Sequence, residues 1–313
     1  MPMPAQEGVY VDLSELVSYE ALARQIAVSF PRVTSNLLQG NRPSRVNGRG
    51  GAFDQIRPYF HGDDVRDIDW NVTARMGGAP FVRMYHEERQ RPLLLLVDQT
   101  KDMFFGTRTQ LKSVLAARLA ALLLWMAHHR KQPYGLVIVE EDRVVSCPPR
   151  HHKGHLIHAF TCLARANQAL SADRQQTRAV ERLPQGLRRL LALITRDTLA
   201  VLVSDFHNLR EDAWHLIGEV AMKTQTLAIP VYDGIMDNWP QRGQFLATYG
   251  AIEAELTFPS TPRRQGVEGR ARQNLAALQD RLAKAGVGAT PFSTYLPAHE
   301  QLCKALNIAG GSP

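Results

Sequence analysis

Cysteine is scarce and widely scattered in this chain: Cys147, Cys162 and Cys303 are odd in number and outside any CxxC pattern. They offer neither a disulfide framework nor the spacing of a zinc site, and a reducing compartment fits them best. Long apolar runs are missing as well. The longest, Leu93 to Val97 and Leu119 to Ala127, are too short to cross a bilayer, and the opening MPMPAQEGVYVDLSEL lacks the basic start and apolar stretch of a signal peptide. The expectation is a cytoplasmic protein without a membrane span. Two catalytic signatures are also absent. The glycine-rich NGRGG is not a GxxxxGK[ST] phosphate loop, and no glutamate lies between His151 and His155 to make HExxH. Neither ATP hydrolysis nor zinc-hydrolase chemistry is indicated.

What is present is the composition of a globular protein. Of 313 residues, 44% are hydrophobic and 21% charged, enough for a sizeable core and a second module. Lys and Arg number 37 against 30 Asp and Glu, a formal charge of +7. This mild excess permits an anionic partner without demanding one.

Apolar spacing predicts an amphipathic helix from Leu13 to Phe30, closed by Pro31. Gly40 to Arg57 then reads as an irregular basic loop carrying Arg42, Arg45 and Arg49. Strands are expected at Phe81 to His86, Leu93 to Val97, Tyr134 to Val139, Arg143 to Ser146, Thr198 to Val203, Thr226 to Val231 and Thr290 to Tyr295. Helices are expected at Leu111 to His129, His151 to Ala169, Ala179 to Thr195, Asp212 to Met222, Gln265 to Ala285 and Pro297 to Leu306. Alternating strands and helices from Leu93 onward predict an α/β fold, an open and mainly parallel sheet with helices on both faces. The expected division is an N-terminal helical and irregular module, 1–90, followed by the sheet domain, 91–309.

Sites in such sheets lie beyond the carboxyl ends of the strands. There the sequence places Asp98, Thr100 and Asp102 after one buried strand, and Ser204 and Asp205 after another. Carboxylates and hydroxyls converging from separate loops suit a hard cation such as magnesium or manganese. The simpler reading is that Asp98 and Asp205 cap the helices that follow. In the motif GDDVRDIDW, Asp63 and Asp64 suit a helix start, Arg66 pairs with an acid one turn away, and Ile68 and Trp70 offer apolar anchors. This reads as a docking turn between the modules, with Trp70 buried. A second metal site from Asp63, Asp64, Asp67 and Asp69 is the alternative, against which Arg66 and Arg75 stand as natural counterions. The histidines His128, His129, His151, His152, His155 and His158 read as solvated basic helix ends.

The segment from Gly48 to Gly106, with GDDVRDIDW at its centre and the ARxxxxxxVRxYxxE continuation, resembles the domain-of-unknown-function 58 family. That resemblance implies a fold similar to von Willebrand factor A domains and a partnership with a MoxR-type AAA+ ATPase or its client protein. It places Asp98, Thr100 and Asp102 at the DxSxS positions of a metal-ion-dependent adhesion site and Asp205 at its late Asp position. Thr177, with Thr161 behind it, is the candidate for the mid-chain Thr. Asp102 stands where the pattern has Ser, a departure. The function so implied is protein binding without catalysis. One rival is a magnesium-dependent phosphatase or nuclease using Asp98, Asp102 and Asp205, against which Thr100 occupies the place of an acid/base Asp. The other rival is nucleic-acid binding through Arg42, Arg45, Arg49 and Arg57, a stretch with few aromatics to stack on bases.

Overall fold

The computed structural model describes residues 8–29, 52–60, 63–86, 91–171, 179–195, 197–236, 244–249, 252–257 and 261–309. In chain order the elements are α1 (Leu13–Ser18), α2 (Glu20–Ser29), β1 (Ala52–Pro58), α3 (Trp70–Arg75), β2 (Phe81–His86), β3 (Leu93–Gln99) and α4 (Lys112–His129). Next come β4 (Tyr134–Glu140), β5 (Val144–Arg150), α5 (Lys153–Gln168), α6 (Ala179–Leu193), β6 (Leu199–Ser204), α7 (Glu211–Lys223) and β7 (Gln225–Tyr232). The chain continues through β8 (Gln244–Tyr249), β9 (Ile252–Thr257), α8 (Thr261–Lys284), β10 (Gly288–Ala289), β11 (Phe292–Ser293) and α9 (Ala298–Ala309).

One sheet runs in the order β10-β7-β6-β3-β4-β5, with β11 also pairing β7. Its pairings are parallel except that of β5 with β4. Every residue of β3 and β6 is buried, which is why both read as continuous apolar runs rather than alternating ones. Period-two alternation sends Leu93, Leu95 and Val97 into one core with α4 and α5. Leu94 and Leu96 enter the second core, with α6 and α7. Helices cover both faces, as expected. Gly186 lets α6 lie close on β4, because a Cβ there would stand 2.5 Å from Val139 Cγ2. The sheet ends at β5, which contains Pro148 and Pro149.

Some elements depart from expectation. The first helix is broken at Tyr19, which closes α1. The stretch read as loop contains β1, which pairs antiparallel with β2 despite its Arg- and Gly-rich surroundings. A second hairpin, β8 with β9, lies where the pattern looked irregular. The last expected strand, from Thr290 to Tyr295, shortens to β11; β10 precedes it, and between them lies Pro291, which has no N–H to continue the ladder.

The chain separates into two compact units, 41–90 on one side and 1–40 with 91–313 on the other. The expected cut, which put all of 1–90 in one module, is therefore corrected. Helices α1 and α2 belong with the sheet because their apolar faces join its core through Leu16, Ala23 and Ile26. A buried polar chain fixes them there. The Asn167 side chain accepts from the Val11 N–H at 2.8 Å and donates to Gln99 Oε1 at 3.0 Å, while Gln99 Nε2 donates to the Ser113 carbonyl at 2.9 Å. Trp125 Nε1 donates to the Leu16 carbonyl at 3.1 Å. Removing Asn167 strands the Val11 and Gln99 partners in a dry setting, so Asn167→Ala is expected to cost about 2–3 kcal/mol. Chemical denaturation measures this, with faster hydrogen exchange in α1 as the local signature; an unchanged midpoint would refute it.

Candidate functional site

The site forms at the carboxyl ends of β3 and β6. Their parallel register matches Val97 to Val203, so the next residues, Asp98 and Ser204, become neighbours. Both follow the parity of Leu96 and Leu202, the face packed under α6 and α7. Ser204 Oγ donates to Asp98 Oδ2 at 2.6 Å, and Thr100 donates to Asp98 Oδ1 through Oγ1 at 2.7 Å and through its N–H at 3.0 Å. Asp98 is 5% exposed and Thr100 4%.

Asp205 follows Ser204 and forms an ion pair with Lys112 at the start of α4, Nζ to Oδ2 at 2.5 Å. Its other oxygen accepts from the His207 N–H at 2.9 Å. The capping reading of these acids is corrected. Asp98 lies within β3, and α7 is capped at Arg210, not Asp205. Phe206, buried beside them, holds φ at +53°, a left-handed conformation that costs a non-glycine residue about 1–3 kcal/mol and recurs at functional sites.

Asp102 sits in the short 3-10 turn Lys101–Met103, half-buried. Asp98, Asp102 and Asp205 do not draw together as a triplet. Among the described residues, the three side chains whose ligand atoms lie mutually within 4.8 Å are Cys147, His158 and Cys162, a convergence that the cysteines' separation along the chain conceals. Thr177 lies outside the described residues. Thr161 is not at the site, because its hydroxyl donates to the Ile157 carbonyl within α5. Sequence reasoning missed Lys112 and Glu141. Glu141, 3% exposed at the end of β4, accepts from the Lys101 N–H at 3.0 Å, and its carbonyl accepts from Arg182 Nε at 3.1 Å. The acidic stretch Glu140 to Asp142 was the visible signal, since acids closing a buried strand lie at the sheet's functional end.

In the smaller unit, the GDDVRDIDW residues organise a local turn. Asp63 binds the Arg57 guanidinium with both oxygens, at 2.7 and 2.8 Å, and that cation holds its carboxyl below the usual carboxylate range. The counterion of this acid is thus Arg57, not Arg66 or Arg75, and Arg57 is correspondingly engaged rather than open to phosphate. Arg42, Arg45 and Arg49 fall outside the described residues. Asp64 accepts from the Arg66 N–H at 2.9 Å, capping the turn Val65–Asp67, whose Asp67 side chain is not described. Asp69 caps α3 through the N–H groups of Asn71 and Val72. Ile68 bridges to Val82. Trp70 is 68% exposed, which corrects its expected burial, whereas Thr73 in the same short helix is buried. His151, His152 and His158 are exposed, as expected, but two of the histidines are corrected. His128 and His129 are packed rather than solvated, with His128 ring centroids 5.1 Å from His151 and 5.7 Å from Trp125.

The pattern of the family described as "Protein of unknown function DUF58" matches residues 55–274. Uncharacterized protein Rv1480 of Mycobacterium tuberculosis and uncharacterized protein Mb1516 of Mycobacterium bovis are each 28% identical over 222 residues, covering 68% of this chain. The chain spans 65% of the length of these relatives. A solved structure, the conserved hypothetical protein BatB from Bacteroides thetaiotaomicron, aligns over 71% of this chain and 100% of its own at 11% identity, with a TM-score of 0.41, too low to bear on fold or function. Among the described residues, no helix is long and apolar enough to cross a membrane.

Two predictions follow from the geometry. Burial, then the neighbouring Asp205 charge, pushes the Asp98 carboxyl from 3.8 up to about 6, against the opposing pull of the Ser204 and Thr100 hydrogen bonds. Between those values the folded chain holds a proton that the unfolded chain has released, so this group's contribution to stability falls as pH rises through the window. In chelator-treated protein, Asp98→Asn is expected to match wild type near about pH 4 and to exceed it by up to about 3 kcal/mol at about pH 7. Parallel denaturation curves at the two pH values decide it. For exposed Trp70, substitution by Ala is expected to shift stability by no more than about 0.5 kcal/mol; a large drop in the melting temperature would show that the ring is covered.

Proposed function

The chain belongs to the DUF58 family, proteins of unknown function, and from that premise we propose that it is a non-enzymatic binding protein with a von Willebrand factor A-like fold. Its working surface is the carboxyl edge of the sheet, a degenerate metal-ion-dependent adhesion site. The observation that carries this reading is Asp98, buried between the Thr100 and Ser204 hydroxyls with Asp205 close enough to perturb it. The donor set is oxygen throughout, which fits magnesium or manganese. Asp98, Thr100 and Ser204 would hold the ion, with Asp205 and Asp102 completing the charge around it. A bound ion supplies a Lewis-acidic position at which a partner's carboxylate can complete the coordination shell. Lys112 balances Asp205 in the meantime, and an incoming divalent ion competes with that ammonium for the same oxygen.

The partner is a MoxR-type AAA+ ATPase or its client, and the setting is cytoplasmic. Asp102 stands where a Ser would leave the site less negative, so the wild-type site holds its own ion more firmly and depends less on a partner's acid. Calorimetry with Mn²⁺ tests this. Asp98→Ala is expected to abolish uptake and Asp102→Ser to weaken it about tenfold, as loss of an outer carboxylate does. Capture of a MoxR-type ATPase is expected to become more metal-dependent in Asp102→Ser. Absence of Mn²⁺ and Mg²⁺ uptake by wild type would end the adhesion-site reading. Phosphatase, nuclease or ATPase turnover that disappears in Asp98→Ala would replace it with an enzyme.

A further inference from the structure

Strand β5 and helix α5 bring together three side chains that the sheet-edge site does not use. Cys147 projects from β5, 3% exposed, into the core shared with α5. His158 and Cys162 stand four residues apart on α5, so one helical turn stacks them on a common face. His158 is exposed and Cys162 half-buried. Cys162 Sγ lies 3.7 Å from His158 Nε2, and one ligand atom each from Cys147, His158 and Cys162 all fall within 4.8 Å of one another.

Those spacings match the needs of a tetrahedral ion. Zinc binds thiolate sulfur at about 2.3 Å and imidazole nitrogen at about 2.0–2.1 Å, which separates neighbouring ligand atoms by about 3.4–3.8 Å. The observed 3.7 Å already lies in that range. The ligands also come from two elements, one an edge strand and the other a helix, so an ion joining them cross-links tertiary structure rather than decorating a single helix.

We propose that Cys147, His158 and Cys162 form a binding site for a borderline-soft transition-metal ion of the zinc class. The fourth coordination position opens on the solvent side beside exposed His158, where water or a partner's side chain completes the shell. Two sulfur donors select this class against magnesium, calcium and manganese, so the site is chemically separate from the oxygen site around Asp98. On binding, each thiol S–H releases its proton to solvent and the imidazole binds neutral, so two thiolates balance one divalent ion. A disulfide between Cys147 and Cys162 is the competing use of the sulfurs, and it leaves the His158 nitrogen aimed at them without a role.

Cobalt(II) is the probe, because thiolate ligation gives it a charge-transfer absorption and tetrahedral geometry gives it intense visible bands. The full chain, reduced and stripped of metal, is expected to take up a single Co²⁺ with both signatures and to lose them when one equivalent of Zn²⁺ is added. His158→Ala, an exposed position that leaves the fold intact by circular dichroism, is expected to weaken binding by at least about tenfold. Cys162→Ser is expected to abolish the charge-transfer band. Cys303→Ser and Asp98→Asn are expected to keep it, which separates this site from the oxygen site. The proposal is overturned if the reduced chain shows no thiolate absorption with Co²⁺, or if the bands survive in both His158→Ala and Cys162→Ser. It is also overturned if Cys147 and Cys162 form a disulfide that prior Zn²⁺ addition does not prevent.

Discussion

Parallel pairing of β3 with β6 carries the site, because the register that sets Val97 against Val203 leaves Asp98 beside Ser204 at the sheet's end. Burying a carboxylate is costly unless its oxygens find donors. Here both do, from Ser204 on the neighbouring strand and Thr100 in the following loop. The loops after β3 and β6 are therefore tied to a single acid. A one-residue slip would send Asp98 into the opposite core and Gln99 away from Asn167, undoing the polar chain that holds Val11.

Near Asp98 the arrangement concentrates negative charge, and Lys112 offsets that of Asp205. Lys112 opens α4, whose first turn contains no acid, and a cation at a helix N-terminus works against the helix dipole. It is kept there by Asp205 at 2.5 Å. The second carboxylate near the turn, Glu141, is occupied differently, accepting a backbone N–H from Lys101. Acids that look alike in the sequence thus have different tasks, one receiving hydroxyls, one an ammonium and one an amide.

The alternation of elements was legible in the sequence because β3, β4 and β6 are buried on both faces and must be apolar throughout. Asp98, Thr100, Ser204 and Asp205 were legible for a related reason, polar residues closing an apolar strand. Lys112 was not, since its partner lies 93 residues further along the chain and no local pattern joins them. Strand β1 was hidden by composition: arginine and glycine signal loop, whereas Arg57 is at once a strand residue and the partner of Asp63. Trp70 misled in the opposite direction. A large aromatic beside charged residues reads as an anchor, yet the two-turn α3 has only a narrow inner face, and Thr73 fills it by accepting from the Phe81 N–H at 3.0 Å.

The prolines of β5 bear on how any partner can approach the sheet. Pro148 and Pro149 lie in the edge strand, where they present no N–H to an incoming chain. At the opposite edge β10 and β11 are two residues each, too short to template another strand. Both borders are thereby blunted against strand addition, the route by which extended peptides extend a sheet. Any partner of this sheet would be met by side chains and loops at the strand ends. The same blunting disfavours edge-to-edge pairing between copies of a sheet rich in Leu and Val.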